Sequence, residues 1–427
     1  MREKILRDPV HDIIAVQDPL LLHLIDTPEF QRLRRLRQLG TAAGTYHGAE
    51  HSRFGHSLGA MHIMGKVLAR LRQSAHLPID EQLERLAKTA ALLHDIGHGP
   101  FSHGLERVLT PTLGHEQWTR AILEGPTAVR QLLEEEDPAL PGRIVGLLQG
   151  MVPGDLRWLH HLVASQLDVD RMDYLLRDAL YTGAFYGRFD LERLISTLTW
   201  AQGQVVFSYK GIPTAEEYVL ARHYMYWQVY FHKTTRAQDL VLRAAWDRAR
   251  ELWAAGRLEA GRDVPDALVP FFEGRPDLGE YLAVDDVDVF FALKTWARHP
   301  DPILSDMASR FLHRRLLKPV FRQARPAIDP ECLRQARQVV AGKGWNPHYY
   351  CLVDRTSDVA YDFYTEGGEP PAKAPIYALD EFGRLQEISR MSAIIRAVAT
   401  RPRSAMNLYV PEECRQAVAD RILADER

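Results

Sequence analysis

The chain has 427 residues, of which 46% are hydrophobic and 26% are charged, and its formal net charge is -3. This balance is typical of a soluble globular protein and offers no broad basic surface, so a nucleic-acid partner is not required. No apolar run approaches the ~18 residues of a membrane span, and the first residues lack the apolar region of a signal peptide. We therefore expect a cytoplasmic protein with no membrane partner. The three cysteines are too few and too far apart for a disulfide framework or a thiolate metal cluster.

The first hundred residues combine a short extended start with helices. Residues 13–16 are mostly apolar and predict the extended segment. The stretch "DTPEFQRLRRLRQLG" predicts a helix that Asp26 caps and Gly40 ends. Two later stretches, 56–73 and 81–95, repeat apolar residues at helical spacing and predict two more helices.

The rest of the chain is expected to be helical up to about residue 340 and to contain both helices and strands beyond it. Thr214 and Glu217 form a capping-box pattern before a long helical stretch that ends near Gly256. The stretches "YYCLVDRTSDVAYDFY" and "PIYALDEFGRLQEI" carry β-branched and aromatic residues that favour strands, with a Gly/Pro-rich loop between them. We therefore predict a mainly α fold with a small C-terminal α/β lobe, divided into a core of residues 1–340 and a lobe of residues 341–427.

The stretch "ALLHDIGHGPFSHGLE" ends an apolar helix in residues that carry chemistry. Consecutive side chains at a helix end can face one cation, so His94 and Asp95 are candidate metal ligands. The glycines allow a tight turn, after which His98 and His103 return towards the same place. Eleven of the 18 histidines lie in the first 115 residues, which indicates a site there. The alternative is a capped helix followed by a polar loop, and a second doublet, His11-Asp12, is interpreted as chance.

Two further residues complete a candidate metal site by their spacing. His56 is expected in the first turn of the preceding helix, and Asp170 shares a helical face with Tyr174 and Asp178 at i+4 and i+8. Two histidines and two aspartates suit Fe, Mn, Co or Zn better than Mg or Ca. The alternatives are a capping histidine and acids that are solvated or paired with neighbouring arginines.

A second helical face combines cations with phenols. Arg222, Tyr226, Tyr230 and Lys233 follow helical spacing, which is typical of an amphipathic helix with aromatic core contacts or of a surface for phosphate and sugar. Spacing alone favours the amphipathic helix. The sequence contains no G-x-x-x-x-G-K-[ST], G-x-G-x-x-G or H-E-x-x-H motif, which disfavours a P-loop ATPase, a Rossmann enzyme and a zincin.

Five motifs occur in a fixed order along the chain: "DTPEFQRLRRLRQLG", "RFGHSLG", "LLHDIGHGPFSH", "GHEQ" and "DVDRMDYLLRD". Together with the H…HD…D set they resemble the HD-domain metal-dependent phosphohydrolases. The longer matches resemble one branch, the HD-domain deoxynucleoside triphosphate triphosphohydrolases related to the sterile-alpha-motif-and-HD-domain restriction factor and its bacterial relatives. The resemblance is close over residues 1 to about 240 and looser in "PIYALDEFGRLQEIS", and it implies an HD-domain helical fold.

The resemblance implies a metal site and a reaction. The divalent transition metal (Fe, Mn, Zn or Co) would be held by His56, His94, Asp95 and Asp170. Mg or Mn would accompany the phosphates of the nucleotide. The reaction would be hydrolysis of deoxynucleoside triphosphates at the α-phosphorus, which gives a deoxynucleoside and inorganic triphosphate.

The family pattern also implies catalytic and substrate-binding residues. The scissile phosphate would be surrounded by His98, His103 and His115. His115 would be the general acid, and Glu106 stands where the family has a supporting aspartate. The triphosphate would contact Arg53, Arg171, Tyr174 and Arg222, where Arg171 replaces a more usual lysine. The sugar would contact Gln38, Leu39, Asp178 and Tyr230, and Leu39 and Tyr230 would crowd a 2′-hydroxyl.

Regulated members of this family imply two further expectations. A guanine-nucleotide effector site would be formed by Lys4, Ile5, Asp26, Gln31 and Arg34. Arg7 replaces an amide residue of that pattern, so effector activation is a hypothesis for this chain. Deoxynucleoside triphosphates would then act as substrate and effector, and the chain would assemble as a homotetramer.

Two other functions compete with this interpretation. One is an HD-domain phosphohydrolase that acts on another nucleotide, such as a monophosphate or a cyclic dinucleotide. The other is a non-catalytic protein that binds nucleotides or single-stranded nucleic acid. The sugar-side residues disfavour the first function, and the near-neutral charge disfavours single-stranded nucleic acid.

Overall fold

A computed structural model of the chain describes residues 3–75, 77–323, 328–358, 374–399 and 403–424. Helices dominate these residues, which confirms the mainly α fold. The helices up to residue 225 are α1 Pro19–Ile25, α2 Pro28–Arg32, α3 Arg53–Ala75, α4 Glu81–Leu93, α5 Glu106–Leu109, α6 His115–Glu124, α7 Ala128–Glu136, α8 Leu140–Gln149, α9 Arg157–Val163, α10 Val169–Thr182, α11 Leu191–Thr197 and α12 Ile212–Met225. They are followed by α13 Lys233–Ala254, α14 Val269–Glu273, α15 Leu278–Ala283, α16 Asp286–Trp296, α17 Pro302–Leu312, α18 Pro330–Gly342, α19 Pro347–Tyr350, α20 Ile388–Met391, α21 Ala393–Ala399 and α22 Glu412–Ala424. In these described ranges, no helix has both the length and the apolar character that crossing a bilayer requires.

Three small sheets accompany the helices. Their strands are β1 Lys4–Asp8, β2 Asp12–Val16, β3 Leu198–Ala201, β4 Gln204–Phe207, β5 Lys318–Gln323, β6 Leu352–Asp358, β7 Tyr377–Leu379, β8 Leu385–Glu387 and β9 Arg403–Val410. β1 and β2 form an antiparallel hairpin in which Lys4 lies opposite Val16. The other sheets have the strand orders β3-β4-β7-β8 and β5-β9-β6, and β4 and β7 are parallel.

The first hydrophobic cluster is built around α3. This long helix packs against α4 and α10, and its buried face includes Met61, Met64, Leu68 and Leu71. These positions recur every three or four residues, as an amphipathic helix requires. α3 and α10 supply His56 and Asp170 from this rigid core.

The second hydrophobic cluster lies around α13, α16 and α17. Trp246 of α13 and Trp296 of α16 are fully buried in it, with ring centroids 5.6 Å apart. Phe101 and Leu105, which follow the HD doublet, belong to this cluster as well. The segment after the doublet is therefore anchored in the second cluster, whereas the helix before it packs in the first.

The predicted elements near the N-terminus are confirmed with one exception. The extended start is the β1–β2 hairpin, and the two helices of stretches 56–73 and 81–95 are α3 and α4. The predicted helix from Asp26 to Gly40 is present but shorter: the side chain of Thr27, not Asp26, caps α2, and α2 ends at Arg32 and continues only as a 3-10 turn to Arg35. Leu36 is extended, and the backbone N–H of Gln38 donates to the carbonyl oxygen of His51, so pairing with the segment before α3 ends the helix early.

The predicted long helix before Gly256 is interrupted. α12 starts after Gly211, with Pro213 in its first turn, and the predicted cap Thr214 is buried inside the helix. A π-helical turn, Tyr226–Tyr230, separates α12 from α13. The end of α13 at Ala254 agrees with the prediction.

The predicted division at residue 340 stays a prediction. β6 and the β7–β8 hairpin lie where strands were predicted, while residues 359–373, which hold most of the Gly/Pro-rich loop, lie outside the described part. β5 precedes the boundary and α18 crosses it, and both pack with elements that follow it, β9 and α22. The β7–β8 hairpin joins β4, and Ile388 and Ile395 enter the first hydrophobic cluster.

Shortening one buried side chain of α3 tests the packing of the first hydrophobic cluster. Leu68 is fully buried, so we expect Leu68→Ala to lower the free energy of unfolding by about 2–5 kcal/mol through lost burial and a residual cavity. Urea denaturation followed by circular dichroism measures the change. Gln73→Ala, an exposed substitution on the same helix, is the control and should leave the transition unchanged. Equal stability of the two variants would contradict the central position of α3.

Candidate functional site

The HD doublet lies where α4 ends. His94 is the C-cap of α4, and Asp95 follows in a turn that packs against the start of α6. A Cβ atom on Gly97 would lie 2.2 Å from the backbone nitrogen of Thr119 and 2.3 Å from the carbonyl oxygen of His115. Only glycine allows this approach, which brings His115 next to the doublet.

The four predicted metal ligands converge. His56 Nε2 lies 3.3 Å from His94 Nε2 and 3.1 Å from Asp170 Oδ1. His94 Nε2 lies 3.5 Å from both Asp170 Oδ1 and Asp95 Oδ1. Ligand atoms of His56, His94 and Asp95 all lie within 4.8 Å of one another. We call these four residues the ligand cluster.

The hydrogen bonds of the two histidines leave their Nε2 atoms available. His56 Nδ1 donates to Asp173 Oδ2 at 2.8 Å, and His94 Nδ1 donates to the carbonyl oxygen of Ala91 at 2.8 Å. A carboxylate and a carbonyl can only accept, so each imidazole carries a proton on Nδ1, and only its neutral form directs an Nε2 lone pair into the ligand cluster. Two lone pairs and two carboxylates around one point fit a divalent first-row cation.

The Asp173 carboxylate is the central support of the ligand cluster. It is fully buried and accepts hydrogen bonds from His56, from His11 Nε2 at 2.7 Å and from Arg177 Nε at 2.8 Å. Arg177 also donates to Asp8 Oδ2 at 2.9 Å, which ties β1 to α10. Sequence reasoning missed Asp173 and considered Arg177 only as a possible partner of neighbouring acids, although the i, i+4 spacing of the two residues on α10 is that of an ion pair.

The His11-Asp12 doublet does not join the ligand cluster as a pair, but His11 contacts it through Asp173. Its side chain is buried against Asp173, whereas Asp12 forms an exposed ion pair with Arg7. The doublet belongs to a hairpin that brings only one of its two side chains inward. Nothing in the local sequence distinguishes the two orientations, because the partner of His11 lies 162 residues away.

The charges of the ligand cluster favour a bound cation. Burial alone would lower the pKa of His56, but hydrogen bonds to Asp170 and Asp173 raise it to about 10. Burial alone would raise the pKa of Asp170, but hydrogen bonds from His56 and His94 hold it well below its usual range. Asp170 therefore attracts positive charge to the Nε2 atoms of His56 and His94, where a proton competes with a metal.

Arg53 connects the ligand cluster to the loop that follows it. Its Nη1 donates to Asp95, and its Nε and Nη2 donate to Ser102 Oγ at 3.1 and 2.8 Å. Phe101 and Ser102 have φ values of 53° and 49°, in the left-handed region that non-glycine residues rarely adopt. Such a conformation costs about 1–3 kcal/mol per residue and persists only when its surroundings hold it.

His115 lies beside the ligand cluster at the start of α6. Its ring stacks on His98 with centroids 4.1 Å apart, and His98 Nε2 lies 3.4 Å from Asp95 Oδ1. His115 Nδ1 donates to Glu106 Oε1 at 2.7 Å. Burial would lower the pKa of His115, but this hydrogen bond raises it. The side chain of His103 lies outside the described part of the structure, so its role stays a prediction.

Two cavities open onto the ligand cluster and share Asp95, His115 and Asp170 in their walls. Cavity A, of about 520 Å³, is otherwise lined mainly by α6, α8 and α9. Cavity B, of about 420 Å³, is lined by residues 38–42, by α10 and by the segment 226–239, among others. The cluster therefore faces two different spaces.

Cavity B gathers most of the residues predicted to bind substrate. Its walls include Gln38, Leu39, Arg53, Arg171, Tyr174, Asp178 and Tyr230. The guanidinium of Arg171 forms an ion pair with Asp168. Arg222 is absent from the described walls of both cavities, and its guanidinium lies 5.0 Å from the ring centroid of Tyr226.

The sugar-side residues form a hydrogen-bonded group. Tyr230 donates its hydroxyl proton to Asp178 Oδ2 at 2.7 Å, and His51 Nε2 donates to Asp178 Oδ1 at 2.8 Å. The ring of His51 stacks on Tyr181 with centroids 4.4 Å apart. Sequence reasoning missed His51, whose position just before α3 gave no helical spacing to relate it to α10. The π-helical turn that ends at Tyr230 shifts the period after Tyr226, so the predicted stripe is not one continuous face.

The predicted effector residues lie on β1 (Lys4 and Ile5) and along the stretch from Asp26 to Arg34, where Gln31 is half-buried. Lys4 forms an ion pair with Asp26 at 3.3 Å, and Arg34 Nε donates to Gln31 Oε1 at 2.8 Å. Ile5 is 59% exposed. The two pairs are established, and their use by an effector stays a prediction.

Two family models match adjacent segments of the chain. Residues 53–178 match the HD domain, and residues 189–262 match the HD associated region. The first segment contains the whole ligand cluster. Residues beyond 262 lie outside both matches.

The chain is also similar to several known proteins. It is 38% identical to the uncharacterized protein YwfO of Bacillus subtilis, over 96% of this chain and 93% of that protein. It is 33% identical to human deoxynucleoside triphosphate triphosphohydrolase SAMHD1, over 45% of this chain and 35% of SAMHD1. The fold is similar to a phosphohydrolase from Bacteroides thetaiotaomicron, with a TM-score of 0.83 and 31% identity over 96% of this chain and all of that one.

Adding a methyl group at Gly59 tests the support of the ligand cluster. A Cβ atom there would lie 1.8 Å from Asp173 Oδ1 and 2.6 Å from Arg177 Nη2, so Asp173 must leave His56. We expect Gly59→Ala to lower metal affinity by about 10- to 100-fold, as loss of an outer partner does elsewhere. Elemental analysis after dialysis at defined metal concentrations measures this. Gly65→Ala on the same helix, where the nearest atom is 3.7 Å away, is the control. Equal metal content in the two variants would contradict the role of Asp173.

Proposed function

Since the chain belongs to the HD-domain family that includes the SAMHD1 deoxynucleoside triphosphate triphosphohydrolases, we propose that it hydrolyses deoxynucleoside triphosphates to deoxynucleosides and inorganic triphosphate. The observation that carries the proposal is the composition of cavity B. The ligand cluster, the His115–Glu106 pair and the Tyr230–Asp178 pair all contribute to or adjoin this one space. A phosphate at the cluster would therefore leave its sugar beside Tyr230.

His56, His94, Asp95 and Asp170 would hold the metal in this proposal. The bound metal, Fe, Mn, Zn or Co, supplies Lewis-acid stabilisation of charge on the phosphate oxygens, and Mg or Mn would accompany the triphosphate. Asp173 orients His56 by accepting its Nδ1 proton, and the Ala91 carbonyl orients His94 in the same way. The chain thus fixes both imidazoles before any ligand arrives.

His115 is the proposed general acid. Hydrolysis at the α-phosphorus leaves a 5′-oxygen that needs a proton, and the hydrogen bond to Glu106 raises the pKa of His115, which favours the imidazolium that can supply it. Glu106 binds Nδ1, so the proton for the leaving group lies on Nε2. The stacked ring of His98 fixes the plane of His115. His103 is the other candidate in this role.

Arginines of cavity B are the proposed triphosphate contacts. Arg53 is fixed by Asp95 and Ser102, and Arg171 is fixed by Asp168, so both guanidiniums are oriented in advance. Preorganised positive charge stabilises the phosphate oxygens without a reorganisation cost. Tyr174 lines the same wall, and Arg222 reaches the substrate only if the nucleotide extends beyond the described walls.

Leu39 and Tyr230 are proposed to select deoxyribose. Both line cavity B, and the Tyr230 hydroxyl is held by Asp178, so its ring cannot turn aside freely. A 2′-hydroxyl would then meet two fixed side chains. Gln38 lines the same end of the cavity and would contact the sugar as well.

We also propose effector binding and assembly as secondary features. The Lys4–Asp26 and Gln31–Arg34 pairs offer polar groups for a guanine nucleotide, and the exposed Ile5 offers an apolar side chain. A homotetramer would follow the regulated branch of the family. These features would appear as activation by mixed nucleotides and as a mass of four chains.

Product analysis tests the proposed function. Each deoxynucleoside triphosphate, alone and in mixtures, is incubated with the metal-loaded protein and Mn or Mg, and products are separated by ion-exchange chromatography. We expect triphosphate and free deoxynucleoside, with His56→Ala reducing the rate at least about 100-fold. His23→Ala, an exposed histidine of α1, is the control. Orthophosphate as the product, or tight binding without turnover, would overturn the proposal in favour of another phosphohydrolase or a binding protein.

The pH profile tests the His115–Glu106 pair. A general acid must be protonated, so kcat falls as the pH rises through the pKa of His115, and Glu106 moves this limb to higher pH. We expect Glu106→Gln to shift the alkaline limb to lower pH and to lower kcat at pH 8 by about tenfold. Glu124→Gln, at the exposed end of α6, is the control. An unchanged profile in Glu106→Gln would exclude His115 as the acid.

A further inference from the structure

A group of residues outside the two family matches reaches the loop that follows the HD doublet. Tyr281 of α15 and Asp286 of α16 are buried, with 3% and 4% of their surfaces exposed. The matches end at residue 262, so neither side chain belongs to a segment that the family models describe. Their contacts nevertheless lead to the ligand cluster.

The Asp286 carboxylate joins two backbone segments. Its Oδ1 accepts the backbone N–H of Phe101 at 2.8 Å, and its Oδ2 accepts the backbone N–H of Arg37 at 2.9 Å. Arg37 forms an isolated antiparallel β-bridge with Ser52. Its carbonyl oxygen accepts a hydrogen bond from the hydroxyl of Ser102 at 3.2 Å. The carboxylate thus fixes both segments that flank Arg53.

Tyr281 and Arg32 hold the turn on the other side of this loop. The Tyr281 hydroxyl donates to the carbonyl oxygen of Gly97 at 2.7 Å, and its ring stacks on Trp118 with centroids 3.9 Å apart. Arg32 donates to the carbonyl oxygens of His98, Val284 and Tyr281. Three side chains, Arg32, Tyr281 and Asp286, therefore hold residues 97–101, and we call them the loop clamp.

We propose that Asp286 is a positioning residue for the reaction: it holds Phe101 and Ser102 in the left-handed conformation and thereby directs Arg53 towards Asp95 and cavity B. The proposal rests on the proposed function. Two consecutive non-glycine residues keep this conformation only if their surroundings impose it. The Phe101 N–H is bound by Asp286, and Ser102 Oγ binds two nitrogens of Arg53, so the effect passes through two contacts.

The chemistry requires a carboxylate at residue 286. Both of its oxygens accept a backbone N–H, and an amide of the same size has only one oxygen. In Asp286→Asn, the amide nitrogen would face one of the two N–H groups, so one segment is released. The shape of the side chain is otherwise preserved.

A double-mutant cycle tests the proposal. We expect Asp286→Asn and Ser102→Ala each to lower kcat about tenfold, and the double variant to be within about twofold of either, because both changes remove the same support of Arg53. Metal content and unfolding temperature should match those of Asp288→Asn. This control replaces a carboxylate in the same first turn of α16, which accepts the backbone N–H of Asp285. The proposal would be overturned if the reductions in kcat multiplied in the double variant, or if Asp286→Asn lost its metal.

Hydrogen exchange separates this proposal from the proposed function. The Phe101 amide should exchange faster in Asp286→Asn than in Asp288→Asn, whether or not the protein hydrolyses nucleotides. Unchanged exchange at Phe101 would overturn the proposal even in an active enzyme, whereas faster exchange in a protein without triphosphatase activity would reject only the proposed function.

If Asp286→Asn does not fold, a milder variant of the loop clamp is used instead. Tyr281→Phe removes the hydroxyl that binds Gly97 but keeps the ring stacked on Trp118. We expect a loss in kcat of about threefold that does not multiply with Ser102→Ala. Independent effects of Tyr281→Phe and Ser102→Ala would overturn the proposal as well.

Discussion

The fully buried carboxylate of Asp173 is the interaction on which the ligand cluster depends. It binds His56, His11 and Arg177 at once, so α3, the β1–β2 hairpin and α10 meet at one charge. If any of these partners were removed, the buried Asp173 carboxylate would lose part of the positive charge and hydrogen bonding that offset its burial. Such a loss is strongly destabilising. The same charge fixes the proton of His56 on Nδ1. The carboxylate that orients His56 is therefore the same one that holds α3, the β1–β2 hairpin and α10 together.

The ligand cluster could be predicted because its members lie in local patterns. His94 and Asp95 share a helix end, His56 opens a helix, and Asp170 lies on a face with Tyr174 and Asp178. The spacing of residues along a helix fixes the direction in which their side chains point. The ordered motifs, through their resemblance to one family, indicated that the three segments belong to one site. The helices α3 and α4 followed from apolar periodicity for the same reason, since their burial is a property of one face.

The supporting residues could not be predicted because their partners are distant in sequence. His11 and Asp173 are 162 residues apart, and Asp286 is 185 residues from Phe101. The end of α2 was missed for a similar reason, because residues 36–38 pair with the segment before α3. The π-helical turn after α12 also changes which side chains share a face, and helical spacing assumes that no such turn exists.

The boundary between the two hydrophobic clusters explains why the extension beyond residue 262 concerns the site. The ligand cluster is carried mainly by helices of the first cluster, while Phe101 is buried in the second. Arg53 spans the boundary, since it binds Asp95 on one side and Ser102 on the other. The guanidinium of Arg53 therefore depends on both clusters, whereas His56 and Asp170 depend on the helices of the first. The helices α15 and α16 therefore hold the loop that binds Arg53, whereas α3 and α10 carry His56 and Asp170.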